Sequence, residues 1–226
     1  MGADLEFANI IRQIIISAIP ILIAIILHEI AHGYVAYKLG DPTAKMMGRL
    51  TLNPIAHIDI FGTILMPVLL FIFTNGQFIF GYAKPVPINP YNFKNPKRDM
   101  AISAAGGPAM NIIIALASVL LLKYAIAPAA MIAPADMTVR VLKPVTLMLW
   151  ASVSFNIILA AFNLIPIPPL DGGRVLMGLL PHRQSAALGK LEPFGMIIVL
   201  ALVATGVAGY IVMPLIHLFQ GIVGLV

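Results

Sequence analysis

The sequence has no cysteine, so disulfides and thiolate-held metals are both excluded. It has little charge either. Only 10% of its 226 residues are Asp, Glu, Lys or Arg, 60% are apolar and the mean hydropathy is +0.98, which excludes an ordinary soluble domain. Outside the apolar runs too few residues remain for a second domain, so residues 1–226 read as a single one. The net charge of +5 does not point to nucleic acid, because the basic residues fall in the breaks between apolar runs. There they read as membrane-interface anchors and orientation signals. Asp4 and Glu6 stand where a secretion signal carries basic residues, so the first apolar run is expected to stay as a span.

Several runs approach the ~20 apolar residues that a membrane helix needs. The expected fold is an all-α polytopic membrane protein with four transmembrane helices, at about residues 10–38, 100–124, 145–164 and 193–219. Pro20 is expected to kink the first helix. Residues 49–52 read as a short strand, the prolines at 128 and 134 as a loop, and residues 77–83 as an extended apolar edge after the Asn75-Gly76 turn. Residues 60–74 are apolar but short, and Pro67 interrupts them. If they dip into the membrane and return, Arg12, Lys123, Arg140 and Lys143 lie on one side and all other basic residues on the opposite one. That asymmetry is sharper than a crossing gives, so residues 60–83 are expected to be re-entrant and to wall a wet cavity.

Inside the first span stands His28-Glu29-Ile30-Ala31-His32. On a helix the two histidines lie one turn apart on one face and can grip one Zn²⁺, with Glu29 beside it to take a proton from water. With 5 His and 3 Glu in the chain, chance predicts roughly 0.0014 matches to this pattern. Ionisable residues inside an apolar span are costly and mark function. A catalytic zinc keeps three protein ligands and an open position. For the third, Asp171 ranks first and His57 second: Asp171 follows a Pro-broken apolar stretch and precedes two glycines. Taken alone, Asp171 suits a helix cap equally well, and Asn163 suits an interhelical hydrogen bond. His182 and His217 read as interfacial residues.

His28-Glu-Ile-Ala-His32 together with Asn163-x-x-Pro-x-x-Pro-x-Asp171-Gly resembles the site-2 protease family of intramembrane zinc metalloproteases. So do Gly107-Pro-x-x-Asn111 and the GRLTLNP and FGYAKPVPINP segments, which match the compact prokaryotic branch. The resemblance implies a zinc endopeptidase with one Zn²⁺ per chain, ligated by His28, His32 and Asp171. It makes Glu29 the general base and Asn163 the residue that binds the substrate backbone. It also implies a transmembrane protein substrate cleaved within the bilayer, in regulated intramembrane proteolysis. The location it implies is the cell (inner) membrane, multi-pass, with the Lys38 end and the active site towards the cytosol. Set against this are a zinc or other cation transporter, a b-type cytochrome and an inactive zinc-binding scaffold. A transporter has no use for Glu29 as a base, and two histidines on one helix cannot clasp a haem from both faces.

Overall fold

The computed structural model describes residues 2–73 and 81–222, and among these the regular structure is entirely helical. Helix α1 (Gly2–Lys38) runs through Pro20 unbroken and ends where Gly40, with φ +114°, turns the chain. A single turn at Thr43–Met46 and a tight turn at Pro54–His57 follow, then α2 (Ile60–Phe73). Two long helices come next, α3 (Pro96–Ile132) and α4 (Ala135–Asn163), and with Ile15–Lys38 of α1 they are the three continuous helices long and apolar enough to cross a membrane. Beyond them lie α5 (Asp171–Leu179), α6 (His182–Gly189), α7 (Glu192–Ala204) and α8 (Val207–Ile222).

The outer faces are apolar, and buried polar residues gather at the centre of the bundle. Leu22, Ile23, Ile113, Leu120 and Ile158 are exposed, whereas Ser103, Asn111 and Asn156 are buried completely. Small residues bring the helices together. A side chain on Gly106 would press on Val35 and the Ala31 carbonyl, so glycine there lets α1 and α3 approach closely. Away from the polar centre, Ala115 of α3, Val153, Ile157, Ala160 and Ala161 of α4 and Phe219 of α8 form a dry core cluster.

Four expectations need correction or refinement. Residues 49–52 form no strand. The Thr51 carbonyl accepts from His57 Nε2–H at 2.8 Å, and the Asn53 side chain caps the Pro54–His57 turn, so local side-chain bonds replace a ladder. The prolines at 128 and 134 do not make a loop: α3 runs past Pro128 to Ile132 through a wider turn at Leu122–Ile126, and Pro134 stands just before α4. The region 193–219 is two helices, parted at Gly206, whose φ of +76° ends α7. The axis also bends by 68° between α6 and α7. Finally, α2 offers roughly 21 Å of helix against a ~30 Å hydrocarbon core. Asp59 caps its start through Gly62 N–H at 2.7 Å. The chain then comes back to that same end, where Tyr82 N–H reaches the Gly62 carbonyl at 3.0 Å and Thr63 Oγ1 donates to the Tyr82 carbonyl at 2.9 Å. Residues 74–80 of the expected extended edge lie outside the described residues, and 81–83 carry no regular structure.

Candidate metal centre

His28 and His32 project from one face of α1 with ring centroids 4.6 Å apart, both buried. Each ring is fixed at its far nitrogen. His32 Nδ1–H donates to the Ser103 carbonyl on α3 at 2.8 Å, and Ser103 Oγ–H returns a bond to the His32 carbonyl at 2.9 Å. His28 Nδ1–H donates to Asn111 Oδ1, also on α3, at 2.5 Å. A carbonyl oxygen can only accept, so in both rings Nδ1 carries a proton, and in the neutral imidazole that leaves the Nε2 lone pair pointing inward.

Asp171 supplies the third group from a different part of the chain. After α4 the backbone turns through residues 164–170, with a cis bond between Pro168 and Pro169, and α5 opens on Asp171. The close turn needs the glycines that follow, since a Cβ on Gly172 or Gly173 would strike the backbone of residues 164–168. Asp171 Oδ2 then stands 3.2 Å from Nε2 of His28 and 3.2 Å from Nε2 of His32, and the two Nε2 atoms are 3.0 Å apart.

With both rings in that neutral form three acceptor atoms meet, and Asp171 Oδ2 is buried with no partner but the two Nε2 atoms. Such a cluster repels itself unless a cation sits in it. Tetrahedral zinc at about 2.0–2.1 Å from each ligand would hold its donors roughly 3.3 Å apart. The spacing found here fits that ion. Gly107 keeps the space open, because a Cβ there would collide with Nε2 of both histidines.

Glu29 lies one residue along α1, half-buried, and its Oε2 accepts the Val86 backbone N–H at 2.8 Å. Residues 81–89 thus run as a strap beside the site. Lys84 N–H binds the His57 carbonyl at 2.9 Å, Arg49 Nη2–H binds the Lys84 carbonyl at 2.7 Å, and Asn89 N–H binds Asp41 Oδ2 at 2.7 Å. Asp41 sits beyond the end of α1, wholly buried. Burial presses its pKa up, but donors from Asn92, Thr43 and Asn89 hold it below the usual carboxylate value.

The structure brings His28, His32 and Asp171 together, with Glu29 adjacent in the chain. His57 belongs to the strap's support, not to this cluster. Asn163 closes α4 half-buried, and its Nδ2–H bonds back to the Leu159 carbonyl at 3.0 Å. Four partners escaped the sequence reading: the Ser103 carbonyl, the Val86 N–H, Arg49 and Asn156. Two of these are backbone groups, which carry no residue signature. Arg49 had been placed in a strand, and only burial in an apolar helix marks Asn156.

The sequence profile described as Peptidase family M50 matches residues 16–205. "Putative zinc metalloprotease YwhC" of Bacillus subtilis (strain 168) is 37% identical over 199 residues, covering 88% of this chain and 84% of that protein. "Putative zinc metalloprotease Rip2" of Mycolicibacterium smegmatis is 27% identical over 81% of this chain, and the protein of that name from Mycobacterium tuberculosis (strain H37Rv) is 30% identical over 80%. The chain spans 64% and 63% of those two. No solved structure matches it.

Proposed function

The chain belongs to peptidase family M50 and is a zinc metalloendopeptidase, and from that premise we propose that it cleaves transmembrane segments of other proteins within the bilayer. His28, His32 and Asp171 would hold the zinc, Glu29 acts as general base, and Asn163 binds the substrate backbone. The observation that carries this reading is the convergence of two imidazole Nε2 atoms and one carboxylate oxygen between helices whose outer faces are apolar.

Bound zinc supplies a Lewis acid that acidifies water and polarises a carbonyl. The chain's own residues do the rest. Glu29 accepts a proton from the attacking water and later gives it to the departing amine. The Val86 N–H bond fixes one carboxylate oxygen and leaves the other for that exchange. Gly107 keeps protein atoms out of the reaction space. Asn163 has a second amide hydrogen, beyond the one given to Leu159, to hold a substrate carbonyl.

A helical substrate hides its carbonyls, so it must unwind before it is cut. A cavity of about 210 Å³ lies beside α1, lined by Leu22, Ile25, Ile58, Tyr82 and Ala83. Leu22 and Ile25 precede Glu29 by seven and four residues and so share its face. This cavity is the seat for an apolar side chain of the unwound strand. The return of Tyr82 to Gly62 supports a re-entrant 60–83 segment as its outer wall. With the basic residues distributed as the positive-inside rule asks, the Lys38 end and the site face the cytosol of a cell (inner) membrane.

The test is Glu29→Gln, purified and compared with the parent by mass spectrometry of cleaved single-span membrane proteins. Cleavage should fall by about 10²–10⁴-fold, with zinc content unchanged. Identical product profiles from the two proteins would sink the reading, and zinc transport without cleavage would point to a transporter instead.

A further inference from the structure

The two histidines are oriented by different kinds of partner. His32 meets a backbone carbonyl, that of Ser103, which cannot change role. His28 meets a side-chain amide, Asn111, and an amide can turn over. Turned over, Asn111 would offer an N–H to Nδ1 of His28. The ring proton would then sit on Nε2, where it blocks a metal.

Asn111 is held against that turn by a chain of bonds across three helices. On α4, Asn156 Nδ2–H donates to the Ser152 carbonyl at 2.8 Å and to Ser152 Oγ at 3.3 Å. Because the carbonyl can only accept, Asn156 must turn Oδ1 towards Asn111, which donates Nδ2–H to it at 2.8 Å. The same Asn111 nitrogen reaches the Ala24 carbonyl of α1 at 3.4 Å. Asn111 Oδ1 therefore faces His28. The chain reads in one direction only, since backbone carbonyls anchor both amides. Both asparagines are 0% exposed, so no water competes. Two buried amides among apolar helices are costly unless fully paired, and here they are.

We propose that the Asn111–Asn156 pair is a positioning device that fixes the His28 tautomer and so sets the site's affinity for zinc. This rests on the ligand assignment made above. Asn156 neither touches His28 nor belongs to the metal cluster; it acts through Asn111 alone.

The test uses the full-length protein in lipid nanodiscs, with the zinc dissociation constant read by competition with a chromophoric chelator. Asn156→Leu should weaken zinc binding roughly 10–100-fold, the range seen when a ligand's outer partner is lost. Asn111→Asp offers His28 only acceptors and needs no orienting, so its own zinc affinity is the baseline for a second comparison. In that background Asn156→Leu should change nothing further. A merely structural Asn156 would cost the same in both backgrounds, and that result, or parental affinity in Asn156→Leu, overturns the proposal. If the leucine chain does not accumulate, Asn156→Ala carries the same comparison. His28→Ala separates the two levels. Unaltered zinc affinity there overturns the ligand assignment and this proposal with it, whereas a loss there beside parental affinity in Asn156→Leu overturns the positioning role alone.

Discussion

Gly107 shows how little room the centre leaves. Its missing side chain is what lets α3 cross α1 at the level of the histidines, with both Nε2 atoms inside the volume a methyl group would take. Gly107→Ala should therefore displace the imidazoles while sparing the outer bundle. Peptide cleavage should drop by about a hundredfold, as an ångström-scale misplacement commonly costs, with weaker zinc retention on dialysis and an unchanged helical circular dichroism spectrum. A fully active alanine variant would show that α3 stands further off. His28, Glu29 and His32 were legible in the sequence because their signal is local: one helical turn of a rare composition. Asp171 was legible as a lone acid after a broken span. Asn156 and the Val86 N–H were not, because each gains meaning only from a neighbour distant in sequence.

Between elements, the strap of residues 81–89 ties Glu29 to the turn after α1. Asp41 accepts from Thr43 N–H and Oγ1–H, Asn89 N–H and Asn92 Nδ2–H. Since these bonds depress its folded-state pKa, their contribution is complete above the ordinary Asp value of 3.8. It is lost as pH falls through the lower, folded value. Hydrogen exchange at Asn89 should stay slow from neutral pH down to the ordinary Asp value and quicken only below it. Asp41→Ala should remove the protection at every pH, because the Asn89 N–H loses its acceptor; exchange as slow as the parent's would refute the knot. The elements themselves were read unevenly. Apolar length and Pro punctuation located the spans but misplaced their ends: Pro128 lies inside α3, just past the wider turn at Leu122–Ile126, and Pro134 stands just before α4. The supposed strand at 49–52 failed for a local reason: Thr51 and Asn53 had side-chain bonds at hand that periodicity cannot show.

For the whole molecule, the lack of cysteine becomes a tool, because any single introduced thiol is the chain's sole label site. Met46 and Ile132 are 80% and 87% exposed and follow opposite ends of the membrane path, beyond α1 and at the end of α3. With the Lys38 end cytosolic, Ile132→Cys should react with a membrane-impermeant maleimide in intact cells and Met46→Cys only after lysis. The reverse pattern would invert the topology. One consequence concerns biosynthesis. The histidines leave the ribosome in the first span, while Asp171 follows only after two more. Until the later part docks against α3, the nascent chain holds the two imidazoles without the carboxylate that meets them in the folded protein. A chain cut short before Asp171 should therefore lack peptide-cleaving activity, so that assembly itself acts as the safety catch.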